Sequence, residues 1–196
     1  MKTFKSILIL FAISFLFLQF SNQEDGPKYW YRSGSKPASY KMEFDKTVYQ
    51  SGVKSIIIES LEKEIDGFAT IMQTCNAKNY LGTKIKMTGY IKSENAADWA
   101  GMWLRVDPKD SHESLAFDNM QDRPVRGTTD WTKYEIVLDV PAESGTLNFG
   151  VLMAGTGKIW FDNVSFEILD NKIPVIPPDA FAAPVHEKPE NLGFEE

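Results

Sequence analysis

The sequence predicts an all-β domain, either an antiparallel sandwich or a barrel, and three observations lead to this prediction. Apolar residues recur at every second position through much of residues 29–169, which is the period of half-buried strands. These short alternating segments are separated by Gly, Asn, Asp and Pro, which favour turns. Helical character is confined to a short turn at 76–80, so the expected architecture is built from strands alone.

The first element is a predicted secretory signal peptide, residues 1–22. Lys2 and Lys5 precede a largely apolar run at 7–20, which is the pattern of a basic region followed by a short hydrophobic core. This run is shorter than the roughly 20 residues that span a bilayer, so we expect no stable membrane span after cleavage. The expected location is exported, either periplasmic or extracellular.

The alternation then places the strands in chain order. Within 84–92, for example, Ile85, Met87 and Ile91 share one face, while the lysines share the other. The turn Gly155-Thr156-Gly157 predicts a hairpin between the last two strands. The predicted strands are 40–46, 53–60, 67–75, 84–92, 99–106, 131–140, 146–154 and 158–168.

The composition changes after this domain, which we place at residues 28–169. Five of the ten prolines fall in residues 170–196. Such a segment cannot form the interior of a sheet and is typical of an extended linker.

Charge and residue counts exclude several function classes. The formal net charge is −6 and the pI is about 5.1, whereas nucleic-acid binding normally needs a basic surface. One Cys and two His exclude an internal disulfide and disfavour a zinc or multi-histidine centre. Residues 155–158, GTGK, lack the first Gly and the final Ser or Thr of a phosphate loop, and there is no G-x-S-x-G motif. We therefore expect a protein that is not an enzyme and needs no cofactor.

Four segments of the domain carry a resemblance to a known group of proteins. They are WAGMWLRVD (99–107), FDNMQDRPVRGTTDW (117–131), YEIVLDVP (134–141) and GTGKIWFDNVSFEI (155–168). They resemble bacterial galactose-binding-like and carbohydrate-binding-module-like jelly-roll domains, some of which are attached to transcriptional regulators. The resemblance covers roughly residues 29–169 and implies an antiparallel jelly-roll β-sandwich. It leaves the ligand open, because this fold carries many functions.

A second resemblance concerns the end of the chain. Residues 191–196, NLGFEE, are similar to the start of a module in exported S41-type peptidases. If so, residues 170–196 are a Pro-rich linker and the possible beginning of a missing second module.

The first candidate binding site is one face of a predicted strand. Trp99, Trp103 and Arg105 point the same way there, and Tyr90 could join them from the neighbouring strand. Sugar rings stack on aromatic side chains, and their hydroxyl pairs suit bidentate polar groups. The alternative is that both tryptophans pack in the core and Arg105 pairs with a carboxylate.

The second candidate is the polar loop at 117–131, whose side chains could surround a cleft. The alternative is a structural loop in which Asp122 and Arg123 form a solvated ion pair. The candidate ligand-binding residues in it are Asp118, Asn119, Gln121 and Arg123.

A structural calcium ion is the one metal that the resemblance suggests. An acidic residue near the position of Asp162 can help to bind calcium in related modules, and Glu43 or Asp45 are possible partners. Calcium takes six to eight oxygen ligands, of which the sequence identifies one.

Together these observations predict an exported, non-catalytic module that binds carbohydrate or a related polar ligand. Two alternatives remain. The chain could be an accessory domain of an exported hydrolase or peptidase, or the ligand-sensing domain of a regulatory system. The sequence does not predict the oligomeric state.

Overall fold

The computed structural model describes residues 27–110, 113–171 and 186–196. The predicted signal peptide lies outside these residues. Short 3-10 helices occupy Pro37–Ser39 and Lys78–Tyr80. The strands are β1 (Tyr31–Gly34), β2 (Tyr40–Asp45), β3 (Ser55–Ser60), β4 (Phe68–Asn76), β5 (Thr83–Pro108), β6 (Ala116–Asp118), β7 (Val125–Val140), β8 (Ser144–Ala154) and β9 (Lys158–Asn171).

The strands form two layers that share β5. Hydrogen bonding follows the order β1-β4-β8-β5-β9-β3-β2, with β6 and β7 also paired to β5, and every strand pair is antiparallel. We call β1, β4, β8, β6 and the second half of β5 sheet 1. Sheet 2 contains β2, β3, β9, β7 and the first half of β5. The architecture is the antiparallel jelly-roll sandwich that the sequence predicts.

The long strand β5 differs from the prediction, which placed separate strands at 84–92 and 99–106. It continues for 26 residues and passes from sheet 2 into sheet 1. Its pairing with β7 shifts register between Ser93, Ala96 and Ala100, and Asn95 has a φ of 52°. Bulges of this kind bend a strand and increase its twist, which explains how one strand serves both layers.

The other predicted strands agree with the structure to within a few residues, except β7, which begins at Val125 rather than 131. The pattern did not identify β1 and β6, which have four and three residues. Segments this short do not contain enough alternation to be recognised.

The core lies between the two sheets. The rings of Phe149 in sheet 1 and Phe166 in sheet 2 are 4.9 Å apart between centroids, in an edge-to-face arrangement. Burial raises the pKa of the Cys75 thiol to about 12, so this cysteine is a buried hydrophobic residue rather than a reactive thiol. No helix among the described residues is long and apolar enough to cross a membrane.

The C-terminal segment, residues 186–196, differs from what its composition suggests. Phe194 is fully buried in the core of this same domain, with its ring centroid 4.9 Å from that of Trp30 and 5.6 Å from that of Phe161. Leu192 accepts a backbone hydrogen bond from Val164 of β9. Residues 186–196 thus pack on this domain, whereas residues 172–185 of the predicted linker lie outside the described residues. The interpretation of residues 170–196 as a linker and the possible start of a second module stays a prediction. The resemblance to exported peptidases stays a prediction.

Candidate functional site

A groove of about 690 Å³ runs across the outer face of sheet 1. Alternate residues of β4, β8 and β5 point away from the core and form its floor, because successive side chains of a strand face opposite sides. β1 lies at one side of the groove, while β6 and the loop that follows it lie at the other. The groove therefore combines residues from five strands of one sheet.

Trp103 forms the floor of the groove. Its indole N–H donates a hydrogen bond of 2.9 Å to the hydroxyl of Thr70 on β4, and that hydroxyl donates to the carbonyl of Val151. To reach β4 the side chain crosses β8, where its register partner is Gly150. Only 8% of Trp103 is exposed. It lines the groove, but most of its surface packs against the protein.

A row of hydrogen-bonded polar side chains crosses sheet 1 from β5 to β1, and three of its members, Arg105, Asn148 and Tyr31, line the groove. Arg105 donates from Nε and Nη2 to one oxygen of Asp107, at 3.0 and 2.8 Å. The amide of Asn148 donates to the same oxygen at 2.7 Å and accepts from Thr74 at 2.6 Å. The Tyr31 hydroxyl lies 2.8 Å from the Thr74 hydroxyl and completes the row. These hydrogen bonds connect polar side chains of four neighbouring strands of sheet 1.

Exposed aromatic rings lie at both sides of the groove. Tyr31 and Phe68 lie on the β1 and β4 side, with 46% and 37% of their surface exposed. Phe117 of β6 lies on the opposite side and is 52% exposed. Sequence reasoning missed all three, although an exposed aromatic residue in a cleft is a familiar sign of a binding site.

Trp99 also lines the groove and is half-buried. Its indole nitrogen is buried and has no hydrogen-bond partner within the part of the chain that the structure describes. A buried donor without an acceptor is costly, so this nitrogen is a local energetic penalty next to the groove.

The loop after β6 is held together mainly by its own charged side chains. Arg123 donates to Asp118 at 2.6 Å, to Asp122 at 2.8 Å and to the carbonyl of Glu135. The hydrogen bond to Asp118 is the main cause of the raised pKa of Arg123. Met120, with a φ of 58°, is fully buried beneath the loop. The Asp122–Arg123 ion pair of the structural alternative is thus present, and Arg123 also connects the loop to β7.

The predicted loop residues line two adjoining cavities. Asn119 lines the groove and also a shallow pocket of about 390 Å³ beside it. Asp118, Gln121 and Arg123 line only that second pocket, together with Asp122.

Tyr90 is not part of the groove. It was expected on a strand beside Trp99, but both residues belong to β5, on opposite sides of its bend. Tyr90 pairs in register with Lys133 and Asp162, which places it in sheet 2.

Asp162 is fully buried and accepts three backbone hydrogen bonds, from Gln50, Ser51 and Asn163. Burial raises its pKa, although these hydrogen bonds act in the opposite direction. Asp45 likewise accepts from Thr47, Val48 and the indole of Trp160. Both carboxylates thus anchor backbone and side-chain donors.

The other proposed calcium ligand, Glu43, pairs with Lys41 at 2.7 Å. The described residues contain no group of three or more His, Cys, Asp or Glu side chains placed to hold a metal ion. Because Asp162 and Asp45 already accept hydrogen bonds from N–H groups, their carboxylate oxygens have little capacity left to coordinate a cation.

Comparison with known proteins identifies one curated relative. It is an uncharacterized HTH-type transcriptional regulator, YbfP, from Bacillus subtilis (strain 168), and is 37% identical over 177 residues. The match covers 90% of this chain but 59% of the relative, so the chain spans less than two thirds of that protein's length. No family model matches the sequence.

Solved structures define the class of fold to which the domain belongs. A xylan-binding domain of carbohydrate-binding module family 22 aligns with a TM-score of 0.54 and 13% identity, covering 78% of this chain and 93% of that one. A cyclase from Fischerella sp. TAU aligns with a TM-score of 0.53 and 17% identity, covering 72% and 85%. At such identities these similarities show the fold alone, and that fold is a jelly-roll β-sandwich.

Proposed function

We propose that this domain binds carbohydrate in the groove of sheet 1. The observation that carries the proposal is the combination of exposed aromatic rings at both sides of the groove with the hydrogen-bonded polar side chains of Arg105 and Asn148 that line it. The carbohydrate-binding modules that share this fold support the same function.

The chemistry follows from what a sugar ring presents. Its C–H faces would stack on Tyr31 and Phe117, which are exposed and separated by the width of the groove. Its hydroxyl groups would bond to the amide of Asn119 and to the guanidinium of Arg105, whose side chain is 45% exposed. Such a site needs neither a metal nor a cofactor.

We propose further that binding is not followed by a reaction. Among the described residues that line the groove, none is Asp, Glu, His or Cys. Hydrolysis of a glycosidic bond normally requires two carboxyl groups at a defined separation. Asp107, the nearest carboxylate in the polar row, is held by Arg105 and Asn148.

A binding screen against immobilised glycans, with residues 23–196, tests the proposal. We expect one class of glycan to bind, and Tyr31→Ala and Arg105→Ala each to weaken that binding by about tenfold, which corresponds to about 1.4 kcal/mol. Tyr90→Ala is the matched control, because it removes an aromatic ring from the opposite sheet. A folded protein that binds no glycan, or equal losses in all three variants, would contradict the proposal.

A second candidate function is ligand sensing for gene regulation, and the curated relative is the observation that favours it. The two functions differ in location, because an exported chain cannot contact DNA. The amino-terminal sequence of the protein recovered from its native host would separate them. Cleavage near Ser21 supports export, whereas an intact terminus in the cytoplasmic fraction supports a sensor.

A further inference from the structure

Residues 27–30, which precede β1, contact the C-terminal segment (residues 186–196) and lead directly into Tyr31 of the groove. Trp30 packs on Phe194 and donates its indole N–H to the carbonyl of Asn191 at 3.2 Å. The next residue, Tyr31, is an exposed aromatic ring of the groove. Trp30, which contacts the C-terminal segment, is therefore adjacent in sequence to Tyr31. We call the exposed aromatic residues at the sides of the groove, Tyr31, Phe68 and Phe117, its rim.

Other contacts hold residues 27–30 against the same segment. Asn191 donates to the carbonyl of Lys28, and the Lys28 ammonium pairs with Glu196 at 3.1 Å. The ring of Tyr29 meets that of His186 edge-on, with centroids 4.6 Å apart. If the C-terminal segment left its place, residues 27–30 would lose these contacts and keep the packing of Trp30 on Phe149 and Phe161.

A second connection runs through β4. The side-chain amide of Gln73 is fully buried and forms a pair of hydrogen bonds with the backbone of Glu190, at 2.9 and 2.7 Å. The adjacent Thr74 lies on the opposite face of β4, where it joins Tyr31 and Asn148 in the polar row. Alternate residues of one strand thus contact the C-terminal segment and the groove.

We propose that docking of residues 186–196 and ligand binding in the groove stabilise each other. The inference rests on the proposed function. Both events order the same elements, residues 27–31 and β4, so the second event costs less conformational entropy once the first has occurred. Thermodynamic linkage then requires the effect to be reciprocal: the docked segment raises ligand affinity, and bound ligand favours the docked segment by the same factor.

Two variants remove the docked state in different ways. Phe194→Ala removes the apolar anchor. Asn191→Gly removes the side-chain hydrogen bonds while tolerating the positive φ of 45° at this position. Ile136→Ala is the matched control, since it opens a cavity at a fully buried position of β7. None of the contacts described above joins β7 to residues 186–196.

Hydrogen exchange of residues 27–34, measured without ligand below the unfolding transition, gives the first readout. We expect Phe194→Ala and Asn191→Gly to accelerate exchange in residues 27–34, and Ile136→Ala to leave it unchanged. The second readout is the affinity for the glycan identified in the screen, which we expect both variants to weaken by about fivefold or more, the usual size of such coupling.

The outcomes separate this inference from the proposed function. If the wild-type chain binds no glycan, the proposed function fails, and the exchange measurement still decides whether the C-terminal segment orders the rim. Unchanged exchange at residues 27–34 in both variants overturns the inference. So does unchanged glycan affinity in both variants when the wild type binds.

Discussion

At the scale of single residues, Trp103 shows why an aromatic side chain in a groove is not always a stacking platform. Its indole ring spans β8 and fixes Thr70 of β4, so it connects three strands through one side chain. Its register partner on β8 is Gly150, and the close approach of β4 requires glycine there. A Cβ added there would collide with the backbone carbonyl of Ile71 on the adjacent strand.

We therefore expect Trp103→Ala to act first on stability. Removing a large buried aromatic side chain costs about 3–5 kcal/mol, whereas Tyr31→Ala, at an exposed position, is expected to cost less than about 1 kcal/mol. Urea unfolding followed by far-UV circular dichroism measures both. A Trp103→Ala protein as stable as the wild type would show that the ring is a free platform after all.

Asp45 carries a second prediction at this scale, on pH dependence. Burial alone would raise its pKa, but hydrogen bonds from Thr47, Trp160 and Val48 outweigh burial and lower the pKa below the unfolded value of 3.8. The ionised group therefore stabilises the fold above pH 3.8, and that contribution is lost as the pH falls through the lowered pKa.

Asp45→Asn removes that contribution. We expect the free energy of unfolding of the variant to fall less steeply than that of the wild type as the pH drops from about 5 towards 2. Denaturant unfolding at a series of pH values measures the difference. Glu43→Gln is the control, because it removes an exposed carboxylate from the same strand. Parallel curves for wild type and Asp45→Asn would contradict the assignment.

At the scale of elements, we expect the loop after β6 to position residues of the groove, although Arg123 and Asp122 of the loop do not line the groove themselves. Arg123 holds Asp118 and Asp122, and Asp118 also accepts the backbone N–H of Met120. Through these bonds the loop fixes Phe117 and Asn119 at the groove.

Arg123→Ala should therefore weaken glycan binding by several-fold while lowering stability by no more than about 1 kcal/mol, since exposed ion pairs contribute little to folding. Lys133→Ala, which breaks an exposed pair with Glu135 on sheet 2, is the matched control. Calorimetric titration with the identified glycan measures both variants. Equal affinities would mean that the loop does not position the rim.

The strands also show which features of the fold can be predicted from local sequence. Strand alternation depends on local sequence, so Ile85, Met87 and their neighbours could be assigned to the core from the pattern alone. The bend of β5 depends on bulges at Ser93 and Ala96, which leave the apolar period of the flanking segments intact. The pattern therefore predicted the strand segments and missed their continuity, and Tyr90 was placed beside Trp99 for this reason.

At the scale of the whole molecule, the groove could be predicted only in part. The order of strands in the sheet, rather than proximity in the chain, brings its residues together. Trp99, Trp103 and Arg105 share one strand, and the period of that strand was enough to group them. Tyr31 and Asn148 join them because β1, β4, β8 and β5 are neighbours in sheet 1, although they are far apart in the chain. Single-sequence patterns do not specify such long-range pairing.

Contacts at this scale also lead to a prediction about calcium. Three backbone N–H groups at one end of the sandwich, those of Gln50, Ser51 and Val53, donate to the carboxylates of Asp162 and Glu195. The loop between β2 and β3 is thereby tied to β9 and to the C-terminal segment by hydrogen bonds. A carboxylate oxygen that accepts N–H groups has less capacity left to bind a cation.

We therefore expect the thermal midpoint to be the same in excess chelator and in millimolar calcium. A ligand that binds only the folded state would raise the midpoint with its concentration. Asp162→Asn should lower the midpoint equally under both conditions, because it weakens the hydrogen bonds to Gln50 and Ser51 rather than a metal site. A midpoint that rises with calcium in the wild type, but not in Asp162→Asn, would show that this end of the sandwich is closed by a bound ion.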